Sequence, residues 1–222
     1  MKWPLLSGLS EGELQRVLSS ARRRTFTKGE VIFHEGDPGD TLHLISRGRV
    51  AVRVTTPLGE VATLLILGAG EFFGELALLH TDKARTATVM AMEATETLSI
   101  LREEFDALRK VNPQVTEMLV QILAEKVRRY SGHLLEALYI PADGRVLRQL
   151  VSLAEAYSPD RSGPVEIPLT QQDLAGLAGT SRATVNRVLR EEQGRGTVKL
   201  SRSRTVVLDA DSIAKRVHST FA

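Results

Sequence analysis

The sequence contains no cysteine among its 222 residues. Disulfide bonds, thiol nucleophiles, zinc–thiolate sites and cysteine-ligated iron–sulfur clusters are therefore excluded. Long apolar runs are also missing, because the longest, around residues 62–70, is about half of the ~18 residues that a membrane-spanning helix requires. Residues 1–8 turn polar at once and do not resemble a secretory signal. We therefore expect a cytoplasmic protein that does not contact a membrane.

Excess charge of one sign is small in the chain as a whole but is concentrated near the C-terminal end. The formal net charge is +2, with 42% hydrophobic and 25% charged residues, as in ordinary globular proteins. Residues 1–141 contain 17 Lys and Arg against 18 Asp and Glu, whereas residues 142–222 contain 12 against 9. This basic end indicates a polyanionic partner, although a solvated surface rich in arginine would give the same count.

Short apolar or alternating segments dominate residues 28–101, after a helix predicted over residues 9–20 with Ser10 as its N-cap. Glycines separate the segments, which is typical of strands joined by tight turns. We predict an antiparallel barrel or sandwich of roughly seventy to eighty residues. The predicted strands are residues 31–33, 42–45, 50–54, 61–67, 86–90 and 97–101.

A long helix is predicted from Pro113 onward, because proline suits a first helical turn and no breaker follows until Gly132. Apolar residues recur there with a 3.5-residue period, which places one narrow seam along the helix, as in a two-stranded coiled coil. We predict a dimerisation helix, and the alternative is a helix packed on its own barrel. The seam residues are Val120, Leu123, Val127, Tyr130, Leu134 and Ala137.

Residues 169–189 have the spacing of a helix-turn-helix, after a short hinge at residues 141–144, an amphipathic helix and a loop at residues 158–168. Thr170 and Asp173 form a predicted capping box at the start of the first helix. Gly179 can adopt the positive φ that ends this helix, and Ser181 caps the next one. An ordinary pair of packed helices is the alternative interpretation.

The second of these helices exposes a basic face that suits the major groove of DNA. Arginine can pair with guanine there, and asparagine can pair with adenine. Residues 198–208 predict a hairpin with a basic tip, a wing that contacts phosphates. The predicted DNA-binding residues are Thr170, Ser181, Arg182, Ala183, Thr184, Asn186, Arg187, Arg190, Arg202 and Arg204.

Motifs along nearly the whole chain resemble the cyclic-AMP receptor protein/fumarate-nitrate reduction regulator (CRP/FNR) family of bacterial transcription factors. They are residues 29–37 (GEVIFHEGD), 45–50 (ISRGRV), 73–79 (FGELALL), 85–87 (RTA) and 180–187 (TSRATVNR). The resemblance implies an α+β chain with an N-terminal antiparallel β-roll, a cyclic-nucleotide-binding-like jelly roll, over residues 1–111. A dimerisation helix over residues 112–140 and a winged helix-turn-helix over residues 141–222 follow. It also implies a homodimer on a palindromic operator in double-stranded DNA, with RNA polymerase as a further partner.

Within that family, residues 73–87 resemble the cassette that binds the phosphate of a cyclic nucleotide. By resemblance, Arg85 pairs with the phosphate and Glu75 accepts a hydrogen bond from the ribose 2′-hydroxyl. Cyclic AMP or a related nucleotide is thus the expected effector, and no cofactor is required. The implied effector-binding residues are Gly74, Glu75, Leu76, Ala77, Arg85, Thr86, Tyr130 and Ser131.

Other interpretations of the roll remain open. Glu75 and Arg85 could form an ion pair that only braces it, leaving a constitutive regulator or one that senses another effector. More remotely, the chain could be a cyclic-nucleotide-binding module that acts through protein contacts. Two residues depart from the family pattern: Tyr130 replaces a threonine that meets the adenine, and Ala183 replaces a glutamate on the recognition helix. We expect no enzyme and no metal site, since the five histidines are scattered and no nucleophile motif is present.

Overall fold

A computed structural model describes residues 3–56, 59, 61–80, 82–158, 163–201 and 204–221. The chain divides into two compact units. The first comprises Met1–Glu60 and Leu64–Arg129, and the second comprises Val61–Thr63 and Tyr130–Ala222. Each unit is described by itself below.

Two four-stranded antiparallel sheets form the β-roll, as predicted. The strands are β1 (Arg22–Phe26), β2 (Val31–Phe33), β3 (Thr41–Arg47), β4 (Val50–Thr55), β5 (Val61–Leu67), β6 (Phe72–Phe73), β7 (Thr88–Ala91) and β8 (Thr95–Leu101). Their orders are β1–β8–β3–β6 and β2–β7–β4–β5. Alternate side chains of β5 point inward, whereas β3 buries four successive residues, 42–45, and both strands contribute to the core. Leu42, Leu44 and Ile100 are fully buried there.

Apart from a short 3-10 turn at Pro4–Leu6, four elements of the first unit have no counterpart in the sequence prediction. They are β1, β6 and two helices, α2 (Glu75–Leu79) and α3 (Arg102–Val111). Strand β1 lacks an alternating pattern because Arg22, Arg23 and Arg24 are all exposed, and pairing with β8 defines it instead. The preceding helix α1 (Glu11–Ser20) begins at the predicted Ser10 cap, where Ser10 and Glu13 form a capping box.

Helix α4 (Pro113–Tyr139) is continuous through Gly132. Near its start, Val115 and Leu119 are buried in the core of the first unit. The predicted seam divides at Leu123, which is partly buried against that same core. The other five seam residues, Val120, Val127, Tyr130, Leu134 and Ala137, are exposed in the single chain. The start of α4 therefore packs on its own roll, and dimerisation along the later, exposed seam stays a prediction.

The second unit contains α5 (Ala142–Tyr157), β9 (Val165–Ile167), α6 (Gln171–Ala178), α7 (Arg182–Gly194), β10 (Val198–Ser201), β11 (Arg204–Val207) and α8 (Ala210–Phe221). The sequence prediction is corrected at two points. Gly144 lies inside α5 and not in a hinge, because the helix already begins after Pro141. The loop predicted at residues 158–168 ends in β9, which pairs with β11 and completes a three-stranded sheet.

Candidate functional site

Arg85 is the central cation of the candidate effector site in the roll, and it is 4% exposed. Its Nη1 donates to the carbonyl oxygens of Thr41 (2.8 Å) and Gly74 (3.1 Å), and its Nη2 donates to Thr41 Oγ1 (2.8 Å). The guanidinium also lies 4.0 Å from the ring centroid of Phe33. All of these partners are uncharged, and Nε has no hydrogen-bond partner among the described residues. Burial lowers the pKa of Arg85, so an anion bound there would offset its unfavourable desolvation.

The backbone around Arg85 is closely packed, which explains two glycines. Gly74 has φ +89°, and a Cβ there would lie 2.6 Å from Arg85 Nη1. A Cβ on Gly39 would lie 2.2 Å from Ala77 Cβ. Arg102, which sequence reasoning missed, joins these segments by donating to the carbonyl oxygens of Gly39, Ala77 and Leu78. The cassette is therefore held in place by hydrogen bonds from the Arg102 side chain to its backbone carbonyls and by steric fit.

Glu75 pairs with a lysine and not with Arg85. Lys126 Nζ lies 2.8 Å from Glu75 Oε1, and the two side chains are 14% and 5% exposed. The same ammonium group lies 4.8 Å from the ring centroid of Phe72. The alternative of a Glu75–Arg85 ion pair is therefore wrong. Sequence reasoning missed Lys126, although it lies one helical turn before Tyr130 and so on the same face of α4.

We expect Lys126→Met to lower the free energy of unfolding by about 3 kcal/mol, because it leaves the Glu75 carboxylate buried and unpaired. Arg128→Met is the matched control, since Arg128 forms an exposed pair with Glu125, and its loss should change the free energy of unfolding far less. Urea unfolding followed by circular dichroism measures both. The double variant Glu75→Gln/Lys126→Met should recover part of the loss. If Lys126→Met and Arg128→Met lowered the free energy of unfolding by the same amount, the result would contradict a buried Glu75–Lys126 pair.

His43 lies next to this site as a neutral side chain. Its ring stacks on Phe73 at 4.9 Å, its Nδ1 is 3.1 Å from Thr97 Oγ1, and its Nε2 is 3.3 Å from Thr41 Oγ1. Burial, followed by the positive charge of Arg85, lowers the pKa of His43 to about 3. At neutral pH, His43 therefore adds no second positive charge beside Arg85.

The other predicted effector residues lie in different surroundings. Ala77 is buried, whereas Leu76 and Thr86 are exposed near the cassette. Tyr130 and Ser131 belong to the second unit, in the middle of α4. The first unit thus brings together Gly74, Glu75 and Arg85 from the prediction and adds Thr41 and Lys126 to them.

The helix-turn-helix forms with the predicted caps. Thr170 Oγ1 accepts from the backbone N–H of Asp173 (3.1 Å), and Ser181 Oγ accepts from that of Thr184 (3.1 Å). Gly179 ends α6 with φ +58°, as its position required. Val185 is fully buried between the helices. These local contacts fix the direction of α7.

Basic and polar side chains converge on one groove of the second unit. The start of α6, the start of α7 and the wing strands line it with Thr170, Gln171, Gln172, Arg182, Asn186, Leu200, Ser201 and Arg204. Arg182, Ala183, Arg187 and Arg190 are exposed, as predicted. Asn186 is only partly exposed, because it donates to Gln171 Oε1 (3.1 Å) and accepts from Arg190 Nε (3.2 Å). Arg204 pairs with Glu166 at 2.8 Å, and Arg202 lies outside the described residues.

Arg145 connects the start of α5 with the turn of the helix-turn-helix. It donates to the carbonyl oxygens of Ile140, Ala178 and Gly179, each at 2.8 Å. This residue was not predicted as functional. Its three bonds tie the α4–α5 junction to the C-terminal end of α6, so a change at the junction must move the DNA-binding helices or break these bonds.

Two family models match the chain: a cyclic nucleotide-binding domain over residues 23–112 and a Crp-like helix-turn-helix domain over residues 144–216. The cyclic AMP receptor protein of Thermus thermophilus is 36% identical over 207 residues, which cover 93% of this chain and 93% of that protein. The chain belongs to the CRP/FNR family. The predicted resemblance and fold class are thereby confirmed.

Two further proteins are similar to this chain over most of its length, one in sequence and one in structure. The CRP-like cAMP-activated global transcriptional regulator of Mycobacterium tuberculosis is 28% identical over 96% of this chain and 95% of its own length. A solved structure of the c-di-GMP responsive global regulator CLP of Xanthomonas campestris has a TM-score of 0.77 and 24% identity. It covers 90% of this chain and 99% of that one, and it shows the shared fold.

The chain is therefore a CRP-like transcription regulator with a cyclic nucleotide-binding domain and a DNA-binding helix-turn-helix domain. The family is a class of DNA-binding regulators and not of enzymes. None of the helices that the structure describes has both the length and the apolar character that a membrane crossing needs. In the same part of the chain, no three His, Asp or Glu side chains cluster in a way that could hold a metal ion.

Proposed function

We propose that this protein is a cytoplasmic, homodimeric regulator that binds a palindromic DNA operator when cyclic AMP or a related cyclic nucleotide occupies the β-roll. RNA polymerase is the further partner of the bound dimer. The proposed parts are the roll over residues 1–111, the dimerisation helix over residues 112–140 and the winged helix-turn-helix over residues 141–222.

The buried Arg85 guanidinium carries the proposal for the effector. Within the described part of the chain, Arg85 has only uncharged hydrogen-bond partners and its Nε–H has none, so it offers both the charge and the donor that a cyclic phosphate requires. Glu75, one side of which accepts from Lys126, presents a second carboxylate oxygen that could accept from a ribose hydroxyl. The named function of the Thermus and Mycobacterium relatives supports cyclic AMP as the first nucleotide to test.

The exposed apolar seam of α4 supports the homodimer. Val120, Val127 and Leu134 are each about 60% exposed in the single chain (59%, 62% and 60%) and recur every seven residues. Such a repeat favours a second copy of the same helix as the partner. A two-fold dimer would present two recognition helices roughly 34 Å apart, one turn of DNA.

The proposed coupling runs along α4 to the DNA-binding helices. An effector that touches Tyr130 and Ser131 would change how the two copies of α4 pack. Arg145 would transmit this change, because it binds the α4–α5 junction and the end of α6 through the same guanidinium group. Coupling of this kind is typically worth about 1–3 kcal/mol.

Isothermal titration calorimetry of the nucleotide-free full-length protein tests the effector. We expect cyclic AMP to bind with a Kd of about 10 µM or tighter, and cyclic GMP serves as the comparison for base preference. Binding of neither nucleotide would contradict cyclic-nucleotide control and leave the constitutive or other-effector regulator as the interpretation. Steeply salt-dependent binding to duplex DNA would support either kind of DNA-binding regulator and would contradict a module that acts only through protein contacts.

For DNA recognition, we expect Arg182→Ala to weaken operator binding by about 1–3 kcal/mol and to relax the preference at one base pair. Lys199→Ala is the control, because a wing lysine that contacts phosphates should weaken binding to all duplexes alike. Fluorescence anisotropy with the operator and with a random duplex measures both. An equal loss on the two duplexes for Arg182→Ala would contradict a base contact.

A further inference from the structure

The side chain of Arg187 is held on both sides by carboxylates in the second unit. Its Nη1 donates to Asp143 Oδ2 (3.0 Å) and to Glu191 Oε1 (3.1 Å), and its Nη2 donates to Asp143 Oδ1 (2.6 Å). Asp143 lies in the first turn of α5, 44 residues before Arg187 in the sequence. Within the described residues, Arg187 forms no other hydrogen bond. The recognition helix thus carries one arginine whose orientation another helix determines.

The two carboxylates leave a particular edge of the guanidinium available. An arginine has five N–H donors, and Asp143 and Glu191 take three of them. The remaining two are Nε–H and one N–H of Nη2, which lie side by side on the same edge of the planar group. This is the pair of parallel donors that can bind O6 and N7 of guanine together. The side chain as a whole is 54% exposed.

We infer that Asp143 is a positioning residue for DNA recognition, which orients Arg187 so that its free edge reads one guanine of the operator. This inference rests on the proposed function, in which α7 lies in the major groove. An arginine side chain without such a partner has many rotamers, and it must lose that freedom when it binds a base. A bidentate carboxylate removes most of that freedom before DNA binds, and the remaining donors then match one base edge.

Asp143 could have two other roles, and each predicts a different result. As an acid in the first turn of α5, it could have no role beyond stabilising that helix. As a competitor, it could hold Arg187 away from DNA until the operator displaces it. A helix-stabilising role would change stability without changing base preference, and a competitor would raise operator affinity when removed. The measurement must therefore be the ratio of affinities for two bases and not a single Kd.

The test begins with a duplex that the full-length protein selects from random DNA, in parallel with and without cyclic AMP. Every base pair of the selected half-site is then substituted in turn, and binding is measured by fluorescence anisotropy. Arg187→Ala identifies the base pair that Arg187 reads, because preference is lost only there. We expect Asp143→Asn to reduce the preference at this same base pair about five- to tenfold, a part of what one bidentate contact provides. Preferences at the other positions and affinity for random DNA should not fall.

Three further variants make the test specific. Asp143→Glu keeps the carboxylate and should restore part of the preference. In the Arg187→Ala background, Asp143→Asn should have no further effect on base preference, as expected for a residue that acts through Arg187. Glu136→Gln is the matched control, since it removes one carboxylate from another partly exposed ion pair, with Arg148 at 3.2 Å, and neither of these residues belongs to the recognition helix.

The possible failures are distinguishable. Unchanged base preference in Asp143→Asn, with a lower melting temperature, would reduce Asp143 to a helix-stabilising residue and overturn the inference. Tighter operator binding with a higher preference would show a competitor and overturn it as well. If no sequence is enriched with or without cyclic AMP, or if Arg187→Ala changes no base preference, the proposed recognition by α7 fails first.

Discussion

Arg85→Ala is expected to weaken cyclic AMP binding by about a hundredfold or more. Two charge-assisted hydrogen bonds to a phosphate, each worth roughly 1.5–3 kcal/mol, would be lost in a buried site. The effect should also appear in DNA binding, where the variant should behave as the nucleotide-free protein does at cyclic AMP concentrations that saturate the unchanged protein. Calorimetry for the nucleotide and anisotropy for the operator measure the two consequences.

Two additional variants exclude a loss of folding as the cause. Arg23→Ala removes an arginine that is 74% exposed on the same roll, and it should bind cyclic AMP like the unchanged protein. Arg85→Lys keeps the charge but not the planar fork, so it should retain an intermediate affinity. A folded Arg85→Ala variant with unchanged affinity for cyclic AMP would contradict the assignment of the phosphate site.

Val127→Glu is expected to convert the dimer into monomers at micromolar concentration and thereby to abolish tight operator binding. In a two-fold dimer each copy would bury an unpaired carboxylate in the seam, at a cost of about 3–5 kcal/mol per charge. A monomer binds one half-site only, so we expect operator affinity to fall by about a thousandfold. Sedimentation equilibrium and anisotropy measure the two effects.

Val111→Glu provides the matched control for this change. Val111 lies at the end of α3 and is 75% exposed, compared with 62% for Val127. The same substitution there should leave the association state unchanged. If Val127→Glu also remains a dimer with unchanged operator affinity, the two chains do not meet along this seam.

The elements that the sequence predicted well are those that local signals define. The caps at Ser10, Thr170 and Ser181 each lie within three residues of their partners, so the sequence spacing is sufficient to find them. Strands β3 and β5 likewise show their buried faces by alternation or by continuous apolar runs. Strand β1 shows neither pattern, because three arginines in succession are exposed and the pairing with β8 comes from distant sequence.

The hydrogen-bond partners of the site residues could not be predicted in this way, because they are distant in the sequence. Lys126 reaches Glu75 across 51 residues, and Asp143 reaches Arg187 across 44. No local pattern signals such pairs, so the sequence could suggest Arg85 and Glu75 by resemblance but could not assign their partners. The choice of Lys126, and not Arg85, as the partner of Glu75 follows from how α4 packs on the roll. Because Glu75 pairs with Lys126, Arg85 is hydrogen-bonded only to uncharged groups among the described residues. The proposed binding of an anionic effector depends on this feature.

The most direct test of cyclic-nucleotide control is the thermodynamic linkage between the two ligands. Operator affinity is measured with and without cyclic AMP, and cyclic AMP affinity is measured with and without the operator duplex. We expect both affinities to rise by the same factor, about 5–150-fold, because coupling between binding sites is reciprocal. Cyclic AMP affinity that does not change when the operator is bound would contradict control of this regulator by the nucleotide.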